Sequence, residues 1–143
     1  MHFADVNLLA IAAAAVVAWT FGAIYYGVCG KAWISALGET TESLKVKNAG
    51  KGKVVMIMPF VLSFVAELVM AYVLYGLMTH IGRFSAQSGM ISGVLCWCGF
   101  VVTTIAVNNA YPGRKVALTV IDSGHWLGVL VIMGVMLGWI GPY

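Results

Sequence analysis

The 143-residue chain is 62% hydrophobic and only 9% charged, with a mean hydropathy of +0.96 and a net charge of +3 at pH 7. A soluble domain usually carries about a quarter of its residues as charges, and a water-exposed fold cannot use this much apolar surface without large exposed patches. An ordinary soluble domain is therefore excluded and the membrane class comes first; the basic excess lies in the loops, and no basic-aromatic groove pattern points to nucleic acid.

Four apolar stretches succeed one another, at about Val6–Val28, Val54–Met78, Gly89–Ala110 and Val116–Ile140. Each suffices for a helix across a ~30 Å hydrocarbon core, which takes ~20 residues. The predicted fold is all-α and integral to the membrane. It is a single domain over residues 1–143, with four transmembrane helices in an antiparallel up-down bundle and short basic loops. The first stretch is not read as a secretory signal: Asp5 precedes it, no Lys or Arg does, and it is too long for a signal core.

Between the first two spans lie residues 31–53, an expected interfacial loop. "KAWISALG" spaces Trp33, Ile34 and Leu37 as a helix would, and so predicts a segment along the bilayer surface. In "TTESLKVKNAG", Thr40 or Thr41 suits the cap of a short helix that Gly50 would end. The competing reading is a plain basic connector. Lys31, Lys45, Lys47, Lys51 and Lys53 fill this loop, Arg114 and Lys115 the third, and Arg83 alone the second. The positive-inside rule then places loops one and three in the cytoplasm and both termini outside, as in a bacterial inner membrane protein. Tyr25, Tyr26 and Trp33 suit the inner interface, Trp139 and Tyr143 the outer.

Helices in lipid associate through small residues and a few polar bonds. Ala10, Ala14, Ala18 and Gly22 form a ridge on the first span. Gly89, Ser92, Cys96, Gly99, Thr103, Ala106 and Ala110 make a heptad-like seam on the third. The fourth offers Gly124 and Gly128, then Gly134 and Gly138. Cys96 and Cys98 form no CxxC pair, and the odd cysteine count gives no disulfide framework. The methionines read as packing residues. Asp122 with His125 is too short a ligand list for a metal, and His2 and His80 belong to the opposite side; no metal or cofactor is expected.

Depth separates the polar residues. Counting back from Trp139 puts Asp122 and His125 in the inner leaflet, level with Asn108, Asn109, Thr103, Thr104 and Thr20. They form one candidate polar layer, in which Asp122 would reach Arg114 or Lys115 and His125 a threonine of the third span. Glu67 is at mid-span, where an ionised carboxylate costs ~2.5–3.5 kcal/mol on insertion scales. It must be protonated, hydrogen-bonded, wetted or paired. An axial gap of about 10 Å separates it from His125 by this register.

Taken in order, "YYGVCGKAWISALGETTESLK", "MPFVLSFVAELVMAYVL", "CWCGFVVTTIAVNNAYPGRK" and "IDSGHWLGVLVIMGVMLG" resemble the successive signatures of the domain-of-unknown-function 1761 family, small four-helix and mostly bacterial membrane proteins. The resemblance covers nearly the whole chain and brings no established activity. It implies asparagine where this chain has Glu67 and Asp122, so both departures add acid to the bundle.

Three functions compete on these residues. One is an oligomeric transport or channel-like role for a small solute or protons, served by Glu67, Asp122, His125, Asn108, Asn109 and Thr103. A second is an accessory subunit of a larger membrane complex. The third, an intramembrane enzyme with Asp122 and His125 as acid and base, lacks a nucleophile with a defined base. The expected partners are the lipid bilayer and either copies of the chain or a larger complex.

Overall fold

A computed structural model describes residues 6–142; His2, Asp5 and Tyr143 lie outside them. Helix α1 is Leu8–Ala36, α2 Thr41–Asn48 and α3 Lys53–Ile81. The third span is α4 (Ala86–Cys96), a π-helical turn (Trp97–Val101) and α5 (Val102–Ala110), and α6 is Val116–Ile140. Four of these helical stretches are long and apolar enough to cross a membrane.

The ends are set by local chemistry. Asn7 caps α1, its Oδ1 accepting from the Ala10 amide at 3.0 Å. Nothing breaks the helix at Val28, so "KAWISA" continues α1 and does not form a separate surface segment; the first left-handed residue is Gly38, at φ +79°. At 29 residues α1 is about 43 Å long, more than a ~30 Å core requires. The short connecting helix α2 does form. Thr40 and Ser43 exchange a reciprocal capping box, and Gly50 comes after it at φ +88°.

Glu39, just before that cap, bonds the Lys47 ammonium and accepts from Ser43 Oγ at 2.6 Å. Lys47 first, then Ser43, hold its carboxyl below the usual 4.5. A lowered folded value means that this support for α2 is present above the unfolded value and fades as pH falls through the folded one. Lys47→Ala should raise the Glu39 midpoint towards 4.5, read from the side-chain carboxyl resonance; an unmoved midpoint would show that Lys47 does not set it.

Helix α6 is central. It lies against α1 on one side and α4 on the other, while α3 packs chiefly on α1. The helices alternate in direction. At one end the Asn7 amide donates to Tyr75 Oη at 3.2 Å and Asn7 Nδ2 to the Gly141 carbonyl at 3.4 Å, joining the start of α1 to the ends of α3 and α6. At the other, Lys115 Nζ donates to the Ser35 carbonyl at 3.0 Å, joining the end of α1 to the start of α6.

Glycine decides how near α4 comes to α6. A Cβ added at Gly89 would fall on the Gly134 carbonyl, one at Gly138 on the Ser85 carbonyl, and one at Gly93 on that of Leu130. The two backbones touch along a four-residue repeat, the small-xxx-small geometry that membrane helices favour. The C-terminal half of α6 thus seats α4, while Gly124 and Gly128 receive the Tyr25 and Phe21 rings of α1. On α1, Ala10, Ala14, Ala18 and Gly22 are all buried. The ridge meets α3 where Ala71, Leu74, Tyr75 and Met78 close one core with Val129, Met133 and Leu137 of α6.

The heptad seam of the third span does not run its length. Ser92 is buried and Cys96 half-buried, but Gly99, Thr103, Ala106 and Ala110 are exposed. The π turn at Trp97–Val101 inserts an extra residue, which rotates α5 relative to α4 by about a quarter turn or more. Val102, Ile105 and Asn109 take over the inward side of α5.

Candidate functional site

Helices α1 and α3 are close at one end and part at the other. Beyond Glu67, one face of α3 (Ala71, Leu74, Tyr75 and Met78) is buried against the alanine ridge; on the other side of it, every residue from Val54 to Leu62 is exposed. Within that stretch Pro59 removes one backbone hydrogen bond from the helix. The divergence leaves a groove of about 760 Å³, within the ~300–1,000 Å³ usual for small-molecule sites. Trp19, Tyr26 and Trp33 of α1 wall one side, Pro59, Phe60 and Ser63 of α3 the other. His125 and Trp126 of α6 also line it, and Leu44 of α2 reaches it.

Glu67 lines this groove where α3 changes from exposed to buried. Its side chain is 1% exposed, and among the described residues Oε2 has no hydrogen-bond partner. A buried carboxylate oxygen without a donor is costly, and in native proteins such a group calls for an explanation. One turn away Ser63 is satisfied: Trp19 Nε1 donates to its Oγ at 3.0 Å, and that hydroxyl donates to the Phe60 carbonyl at 2.9 Å.

His125 also differs from the sequence expectation. It faces α1, not a threonine of the third span. Its ring lies 4.8 Å from that of Tyr26, 4.9 Å from Trp126 and 5.6 Å from Tyr25. Nε2 points at Gly22, where a Cβ would come within 2.7 Å, and Nδ1 is buried without a partner among the described residues.

Asp122 does not reach Arg114 or Lys115. Its Oδ1 accepts from Tyr26 Oη and from Trp33 Nε1, each at 2.9 Å. The two donors are seven residues apart on α1, two turns along one face, so a single acceptor on α6 ties them both. Next to it, Trp97 of the π turn donates to the Ser123 carbonyl at 2.7 Å. Asp122 therefore shapes the groove wall rather than lining it. Tyr26→Phe should lower stability by about 1–2 kcal/mol, since it removes one donor to a carboxylate. In Asp122→Asn the same change should cost less; equal losses in the two backgrounds would mean that the pair is not coupled.

The remaining residues of the expected polar layer are dispersed. Asn109 Nδ2 donates to Thr119 Oγ1 at 3.1 Å, an α5–α6 tie. Asn108, Thr103 and Thr104 lie on the exposed side of α5, with Thr103 returning its hydroxyl to the Gly99 carbonyl. Thr20 is exposed and bonds the Val16 carbonyl. The residues of the expected layer thus do not form one group, and of them only His125 lines the groove with Glu67.

Residue pattern alone does not single out Trp19, Tyr26 and Trp33 as one group, although a signal exists: they recur every seven residues and so share one face of α1. Among the described residues no three of His, Cys, Asp and Glu gather closely enough to hold a metal ion.

Residues 9–138 match the family described as "Protein of unknown function (DUF1761)". The chain belongs to the DUF1761 family. The match takes in all but the outermost one or two residues of the four long helices, together with the groove and the Asp122 tie, so the whole site of this DUF1761 protein lies within the family's extent. No curated protein and no solved structure matches the chain.

Proposed function

We propose that this DUF1761 protein binds and moves a small solute or protons within the membrane, with Glu67 as the group that takes the solute or proton. One observation carries the reading. A carboxylate at mid-span is buried, has an oxygen without a donor among the described residues, and lines a groove large enough for a small molecule. Ionisable groups inside a membrane are costly to keep, and those that face a cavity are read first as parts of a solute or proton path. In this reading the protein is in a bacterial inner membrane with both termini outside and the groove's wide end towards the cytoplasm, in keeping with the lysines of the first loop.

The test is flux in proteoliposomes for protons and a panel of small ions and solutes, comparing wild type with Glu67→Gln. Glu67-dependent flux of at least one species is expected. Equal flux in the two proteins, or none in either, would overturn the proposal.

A second reading, a partner-bound protein, draws on the outer side of α5. Thr103, Thr104 and Asn108 stand exposed at membrane depth, where a protein neighbour suits them better than lipid. Copies of the chain or a subunit of a larger complex would cover them. Purification in mild detergent separates these: a homo-oligomer supports the transport reading, a stoichiometric foreign chain supports an accessory role.

A further inference from the structure

The chemistry of the groove narrows what it takes. Two properties of Glu67 and one of the groove wall bear on this. The first is charge. Among the described residues Glu67 is the one carboxylate lining the groove, and no lysine or arginine lines it. An occupant that brings positive charge gains a Coulomb partner in a low-dielectric site; one that brings negative charge meets an acid with nothing to offset it.

The second is the missing donor. Glu67 Oε2 is an acceptor with no partner among the described residues. A quaternary ammonium would neutralise the charge but could donate no hydrogen bond. A protonated amine does both, and hydrogen bonds between ions are about twice as strong as neutral ones.

The third is the wall. Trp19, Tyr26, Trp33, Phe60 and Trp126 give the groove its surface, and aromatic faces attract cations as well as apolar bodies. Phe60 is 62% exposed and sits among the exposed residues of α3, so the groove meets the surroundings of the helix and not only its ends. A molecule dissolved in the bilayer has access along that side.

We propose that the groove between α1 and α3 binds a lipophilic amine in its protonated form, the ammonium on Glu67 and the apolar body against the aromatic wall. The inference rests on the solute-binding reading above and names its substrate class.

A series of one shape and three charge states tests it: 4-phenylbutylamine, 4-phenylbutanol and 4-phenylbutyrate. Binding is measured by tryptophan fluorescence in nanodiscs, with empty nanodiscs as the blank for partition into lipid. Three of the five tryptophans line the groove, so occupancy has a direct reporter. The amine should bind saturably and about tenfold or more tighter than the alcohol, with no saturable binding of the carboxylate. Glu67→Gln should remove the preference for amine over alcohol. Phe60→Leu, at an exposed position, should weaken the amine by about threefold while leaving the fold intact.

Equal affinity for amine and alcohol in the wild type would overturn the proposal without any mutant, and so would an amine preference that survives in Glu67→Gln. The two readings fail separately. Glu67-dependent flux with no amine preference would remove the cation and keep the transport reading. Amine binding through Glu67 with no flux of any species, the amine included, would remove transport and keep the site.

Discussion

Replacing Gly134 by alanine should destabilise the bundle by about 2–3 kcal/mol, although alanine is the better helix former. Two effects oppose each other. Alanine in a helix interior is favoured over glycine by ~1 kcal/mol. Against that, the new methyl would fall on the backbone carbonyl of Gly89 and not on a side chain that can rotate away. Inserting a methylene into a tight contact typically costs ~1–3 kcal/mol, and a backbone neighbour places the site at the upper end or above. Gly27→Ala is the matched control. Nothing lies within 4 Å of a Cβ there, so the same exchange should be neutral or stabilising by up to ~1 kcal/mol. Reversible unfolding in mixed detergent micelles reads both. If Gly134→Ala unfolded together with Gly27→Ala, α4 and α6 would not cross in backbone contact.

That contact shows what the residue pattern reveals and what it leaves out. Spans, caps and breakers are local, and they are legible: hydropathy marks the four long helices, Thr40 and Gly50 bound α2. The alanine ridge of α1 is legible too, because one helix with an uninterrupted period keeps one face. The third span breaks that condition. Grouping its small residues as a heptad through Gly99 to Ala110 assumes a constant helical pitch. The π turn violates the assumption, and no proline marks it. The working repeat is the shorter Ser85, Gly89 and Gly93, matched against Gly138, Gly134 and Leu130. A heptad has no place for Gly93, which is why the pattern hides it.

The site is legible in depth but not in azimuth. A one-dimensional count of rise per residue puts Asp122, His125, Asn109 and Thr103 at similar heights. It cannot say which way each points. Asp122 and His125 turn towards α1, Asn109 towards α6, and Thr103 away from the bundle. The same count holds Glu67 apart from His125 by about 10 Å; it does not reveal that one groove spans that gap. The aromatic donors escape for a different reason. Tyr26 and Trp33 fit the interfacial belt expected of a membrane protein, and that sufficient explanation conceals their seven-residue spacing with Trp19.

Glu67→Met should make the protein more stable and inactive at once. If Glu67 were an interhelical lock, its carboxylate would hold a donor on a neighbouring helix, and methionine would leave that donor unpaired. Among the described residues Oε2 has no such donor. Methionine is close to glutamate in length, is flexible, and has no acid to desolvate. Replacing a buried ionisable group by an apolar one of similar volume is often stabilising by ~1–4 kcal/mol; with one unpartnered oxygen at stake, about 1–3 kcal/mol is expected here. Flux and the preference for amine over alcohol should both be lost, because among the described residues nothing else lining the groove offers a carboxylate. Such an exchange of stability for function marks a group kept for what it binds. The opposite pattern, with lower stability in mixed micelles and flux retained, would make Glu67 a structural lock and overturn the functional reading.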